Sequence, residues 1–188
     1  MKFSAKVAVA CLAASTTAPT HASVSVLPRT DGDFSIDGII DEVIESERLA
    51  VGEYDLSFEA DVTIGMLIRA DGEQIFRVVS NLVRNARQAI MATHRPGLIT
   101  VRAFEDEAAW RIIVEDNGPG LPAKAREHLF TPFQGGIRKG GTGLGLAIAA
   151  ELARGHGGRL DLLASDHTGT KFAIRIPKGD SALDAVSS

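Results

Sequence analysis

Asn81 and Asn85 stand one helical turn apart inside the stretch EQIFRVVSNLVRNARQAI. There Ile75, Val78, Val79, Leu82, Val83, Ala86, Ala89 and Ile90 fall on one stripe at about 100° per residue. Both asparagines lie at one edge of that stripe and can face the same cavity. Asparagine is a middling helix former, because its amide competes for backbone hydrogen bonds. An amide oxygen is also a hard ligand that suits Mg²⁺. Polar residues at a helix boundary can equally be simple fillers, and the spacing alone leaves both readings open.

A second candidate is the acid in IIVEDNGPGLP. An apolar strand runs straight into Asp116, followed by Gly118 and Gly120. A carboxylate at a strand end accepts hydrogen bonds in a fixed direction, for example from an amino group such as that of adenine. The glycines permit positive φ and close backbone approach to a ligand. An ordinary Asn-Gly turn between two elements would look the same.

The third candidate is GGTGLGLAIAAELARGHGG. Gly140, Gly141, Gly143 and Gly145 crowd the entry to an apolar helix. Free backbone N–H groups at a helix start attract phosphate oxygens, and the helix dipole adds to this. No Gly-Lys-Ser/Thr follows, so this is not a P-loop. A loop rather than a strand precedes it, which counts against a dinucleotide fingerprint. Arg138 and Lys139, just upstream, could bring charge to a phosphate chain or could be plain solvated charge.

The elements that must position these residues follow from periodicity. Ile36, Ile39, Ile40, Val43 and Ile44 predict an amphipathic helix over 36–49. Residues 54–60 and 62–69 read as strands. Asp71 can cap the helix over 71–92, with Gln74 as its capping-box partner, and Pro96-Gly97 closes it. Strands are expected over 98–105 and 110–115, then a short helix near 123–129. A loop leads to a helix over 144–154, and strands over 159–164 and 171–176 end the pattern.

The 188 residues are 45% hydrophobic and 23% charged, ordinary for a globular chain, with a formal net charge of −4. The charge gives no electrostatic case for nucleic acid or an anionic membrane surface. Cys11 is the sole cysteine, so an internal disulfide or a cysteine zinc site is excluded. Residues 1–22 have the basic, apolar, small-polar order of a signal peptide, or form a disordered start. Their apolar run is too short to span a bilayer, and no integral membrane segment is expected. Residues 23–34 read as a linker and 178–188 as a mobile tail.

Taken in order, these segments resemble the catalytic, ATP-binding domain of bacterial sensor histidine kinases. That domain is shared with gyrase-type ATPases, mismatch-repair ATPases and the large heat-shock chaperones. NLVRNARQAI is similar to the N box, DNGPGLP to the first glycine box, LFTPFQ to the F box and GGTGLGLAIA to the second glycine box. The resemblance covers residues 35–177. It implies a two-layer α/β sandwich of the Bergerat type, with a mixed, largely antiparallel sheet covered by helices on one face. It implies ATP and Mg²⁺ as cofactors. Asn85 would be the metal ligand, with Asn81 beside it in the catalytic pair. Asp116 would take the adenine amino group, with Gly118 and Gly120 shaping the adenine wall. Residues 130–134, Phe133 among them, would anchor a lid. Gly141, Thr142, Gly143, Leu144 and Gly145 would cradle the phosphates, with Arg138 and Lys139 nearby.

Two positions depart from or divide the family. Hydrolysing relatives carry a glutamate one turn before the magnesium asparagine. Asn81 stands there and cannot take a proton at neutral pH, which favours phosphoryl transfer over water activation. Many sensor kinases carry a lysine three residues past that asparagine. Gln88 stands there, leaving Arg84, Arg87 or Lys139 to supply charge instead. None of His21, His94, His128, His156 and His167 has the setting of a phosphoacceptor. The resemblance therefore implies a histidine-bearing dimerisation domain or phosphotransfer protein acting in trans and a response regulator downstream. Because ATP is scarce outside the cytoplasm, it also implies a cytoplasmic location, against the signal-like order of residues 1–22. The alternatives are a serine kinase of the anti-sigma type and a nucleotide-binding or interaction module without catalysis, the remnant of a truncated kinase.

Overall fold

The computed structural model describes residues 32–132 and 143–178. The apolar stripe of the first helix becomes the buried face of α1 (Ile36–Val51), through Ile36, Ile40, Val43 and Ile44. The second stripe becomes the buried face of α2 (Gly72–Met91). Asp71 caps α2: its carboxylate accepts the Gln74 backbone N–H at 3.1 Å and the Gln74 side-chain amide at 2.9 Å. In the capping box Gln74 would reach back to the Asp71 backbone N–H. That N–H instead donates to Nε2 of His156 at 3.2 Å, a residue 85 positions on in the chain.

Five strands form the main sheet in the order β2-β4-β5-β7-β6. They are β2 (Leu56–Val62), β4 (Gly97–Glu105), β5 (Ala109–Asp116), β6 (Arg159–Asp166) and β7 (Gly169–Pro177). β2 runs parallel to β4, and every other neighbour is antiparallel. Side chains alternate along each strand with period two. Ile99, Val101 and Ala103, then Ile112 and Val114, then Phe172, Ile174 and Ile176 form the buried face. They share one core with α1, α2 and α4 (Gly145–Gly155). On the other face Glu115 accepts from Arg102 at 3.2 Å and Lys171 at 3.0 Å. The result is a two-layer α/β sandwich with a mixed, largely antiparallel sheet.

Two expectations are corrected. Residues 32–34 do not belong to a linker: Gly32–Ser35 is β1, antiparallel to β3 (Leu67–Ala70) in a separate two-stranded sheet. Residues 62–69 are not one strand. Gly65 turns the chain at φ +75°, the Met66 N–H bonds the Thr63 carbonyl at 3.1 Å, and the Met66 carbonyl accepts from Ile36 at 3.0 Å. The apolar run is thereby shared between two sheets, which no local periodicity distinguishes.

Candidate functional site

Asp116 is the last residue of β5 and continues the inward row of Trp110, Ile112 and Val114. The alternation that buries those apolar residues also buries this carboxylate, which is 8% exposed. Its Oδ1 accepts the Gly118 N–H at 2.8 Å, which bends the following loop back over the strand end. A Cβ on Gly118 would stand 3.4 Å from Ile90 Cγ1 and 3.7 Å from the Ala89 Cβ. The loop therefore lies against the C-terminal turns of α2.

The far side of that loop leans on the β6–β7 hairpin. Gly120 has φ +72°, and a Cβ there would collide with the Asp166 carbonyl. Leu121 N–H donates to Ser165 Oγ at 2.7 Å, and the Arg126 guanidinium reaches the Ser165 carbonyl at 3.3 Å. Arg126 belongs to α3 (Ala123–Glu127). Thr170 pairs in register with Asp116 and is buried at 6% exposure, a hydroxyl beside the carboxylate on the inner face. Sequence reasoning missed it. The available signal was a polar residue in the inward phase of Thr170, Phe172, Ile174 and Ile176.

Asn81 and Asn85 are half-buried on α2, as the stripe predicts. Gly145, the first residue of α4, is set against both. A Cβ on Gly145 would lie 3.3 Å from Asn81 Oδ1 and 3.7 Å from Asn85 Nδ2. Gly143 turns the incoming chain at φ +68°. Leu144 at the N-cap offers no side-chain acceptor to the first turn of α4. The entry of α4 thus presents backbone N–H groups next to two amides. Phe130 lines a groove of about 320 Å³ with Pro132, Leu144 and Ile148. Phe133, Arg138, Lys139, Gly141 and Thr142 lie outside the described residues.

Arg87 is not available to a phosphate. Its Nε donates to Glu47 Oε2 at 2.6 Å, and its side chain is 15% exposed. Arg84 lies 3.6 Å from the other oxygen of the same carboxylate. Glu47 sits in the buried stripe of α1, so these arginines tie α1 to α2 instead of extending the site. Among the described residues no group of three or more His, Cys, Asp or Glu could hold a metal.

One helix, α2, therefore carries the asparagine pair against α4 and, two turns on, the wall behind Asp116. A buried acid at a strand end and a glycine at a helix entry thus both lie along α2. The family described as "Histidine kinase-, DNA gyrase B-, and HSP90-like ATPase" matches residues 70–180, more than half of the chain, and the chain belongs to that family. The sensory histidine kinase/phosphatase NtrB of Klebsiella oxytoca is 39% identical over 116 residues, 57% of this chain and 32% of that protein. The C4-dicarboxylate transport sensor protein DctB of Rhizobium meliloti (strain 1021) is 41% identical over 102 residues, 54% of this chain and 16% of that protein. The structure of the mycobacterial sensor histidine kinase MprB superposes with a TM-score of 0.65 at 30% identity, covering 79% of this chain and 97% of that one. The chain spans about a third or less of the curated relatives it matches. The matched region is the ATP-binding catalytic domain of the sensor-histidine-kinase type.

Proposed function

We propose that this domain binds ATP across α2 and transfers the γ-phosphate to a histidine outside these 188 residues. The carrying observation is that Gly145 rests on Asn81 and Asn85 while Gly118 rests on Ala89 and Ile90. Eight residues of helix separate Asn81 from Ala89, about 12 Å of rise. That span separates an adenine end at Asp116 from a phosphate end at the entry of α4.

Asp116 would accept the adenine amino group, and Thr170 adds a hydroxyl beside it. Gly118 and Gly120 would shape the adenine wall. The N–H groups of Gly143, Leu144 and Gly145, continuing Gly141 and Thr142, would receive the phosphate oxygens. Phe133 would anchor the lid, and Arg138 and Lys139 would add charge. The donor set suits Mg²⁺: a hard amide oxygen at Asn85, no side chain at Gly145, and no all-protein cage among the described residues. Asn85 would hold the ion, which would supply neutralising charge at the phosphates. Asn81 stands one turn before Asn85 and cannot deprotonate water. The chain's part is then to hold the triphosphate in line for an incoming imidazole nitrogen. The P–N bond forms as the β,γ-bridging oxygen leaves with ADP.

Calorimetric titration with ATP, with and without Mg²⁺, tests binding, and labelled phosphate offered with a relative's histidine-bearing helical domain tests transfer. We expect magnesium to tighten ATP binding in the wild type and to lose most of that effect in Asn85→Ala. An undiminished magnesium effect in the variant would remove Asn85 from the metal site. Magnesium-dependent ATP binding without transfer to any supplied histidine domain would overturn the kinase reading and leave a nucleotide-binding module.

A further inference from the structure

His156 follows the last turn of α4, and both of its ring nitrogens are engaged. Nδ1 lies 2.9 Å from the Leu152 carbonyl, and Nε2 lies 3.2 Å from the Asp71 backbone nitrogen. A carbonyl only accepts and a backbone N–H only donates. Nδ1 therefore carries the proton, and the Nε2 lone pair receives the Asp71 N–H. Asp71 is the N-cap of α2. The bond thus closes one end of the α2–α4 pair, and Gly145 against Asn81 and Asn85 forms the other. The two helices run in opposite directions, since the start of α4 meets residues 81 and 85 and its end meets residue 71.

The fully buried side chains of α4 are small, and Leu146 and Leu152 pack on the core part-buried. The buried residues of α4 are Ala147, Ala149, Ala150 and Ala153. Alanines allow close approach and interdigitate less than larger side chains. A directional hydrogen bond at one end of the pair fixes an axial position more sharply than non-directional apolar contacts do. We infer that His156 is a positioning residue: it fixes the axial register of α4 on α2 and thereby sets how closely the phosphate-binding entry of α4 meets the Asn81–Asn85 pair. This rests on the phosphate-end assignment above. The adenine end is built from β5, the β6–β7 hairpin and the C-terminal turns of α2, and no α4 residue is among those set against Asp116, Gly118 or Gly120.

The test compares His156→Phe, which keeps a ring and removes both bonds, with His156→Gln, whose amide oxygen can accept the Asp71 N–H again. Kd values for Mg·ATP and for adenosine are measured for each by calorimetry. We expect His156→Phe to weaken Mg·ATP by about fivefold or more and to leave adenosine unchanged. His156→Gln should recover most of the loss. Glu47→Gln, which loosens α1 from α2, serves as a stability control and should leave the ratio of the two Kd values unaltered. Equal weakening of both ligands in His156→Phe, or no selective loss, would overturn the inference. A second readout needs no ligand: the side-chain amide resonances of Asn81 and Asn85 should shift in His156→Phe and return in His156→Gln. Resonances that stay fixed would overturn the inference. A wild type that binds neither ligand would sink the nucleotide reading and leave this second readout to decide the register.

Discussion

Asp116 combines burial with a fixed direction. Its place in the inward row of β5 removes it from water, and Gly118 holds one of its oxygens. An acceptor so placed is expensive to alter. Asp116→Asn should weaken adenine nucleotide binding by about 2 kcal/mol, roughly thirtyfold in Kd by calorimetry. Unchanged affinity would take Asp116 out of the site. Gly120 is constrained by geometry instead of charge. Its φ of +72° and the Asp166 carbonyl against it leave no room for a Cβ. Gly120→Ala should cost about 1–3 kcal/mol in stability, read as a lower midpoint in thermal unfolding. A midpoint equal to that of the wild type would mean that the β6–β7 hairpin yields to the new methyl group.

At the scale of elements, α2 is the axis of the molecule, and its polar contacts decide what packs where. On one side Glu47 of α1, 7% exposed in its side chain, is held by Arg87. Removing one partner of a buried pair leaves the other charge uncompensated. Glu47→Ala should therefore destabilise by about 3 kcal/mol, measured as a fall in the urea midpoint at constant m-value. A loss below about 1 kcal/mol would show that water reaches Arg87 and screens it, as at an exposed pair. On the other side α4 meets α2 with Gly145 set against Asn81 and Asn85 and with the Asp71–His156 bond. The helix pattern of α2 and its Asp71 cap were legible in the sequence, because both are local. The owner of the Asp71 N–H was not, because 85 residues separate it from His156.

At the scale of the whole molecule, three aspartates at the surface, Asp37 and Asp106 half-buried and Asp166 exposed, pin turns and termini of elements. The Ser35 hydroxyl and the Gly65 N–H hold the Asp37 carboxyl below its usual range. Arg111 and the Ala108 N–H do the same for Asp106, and the Thr168 hydroxyl and N–H for Asp166. Each binds its proton less readily folded than unfolded. Their contribution is complete above the unfolded carboxylate range, near about pH 4, and is lost as pH falls through the lower folded values. The urea midpoint should decline on acidification below about pH 4, and Asp106→Asn should make that decline shallower. An acid limb of the same steepness in the variant would exclude Asp106 from it.

The sequence by itself determined the three main helices and the strand rows of the large sheet, and it singled out the asparagine pair, the acid and the glycine-rich helix entry as candidates. Each of these is written in a period of two or 3.6 residues, or in a run of residue types at short spacing. Tertiary structure decided the rest. It split the run after Val62 between two sheets by pairing β3 with β1. It brought Thr170 beside Asp116 through strand register and gave Arg87 to Glu47. It also set Gly145 on the two asparagines. These contacts join residues far apart in the chain, and their energy depends on burial and direction after the layers have packed, which no local pattern carries.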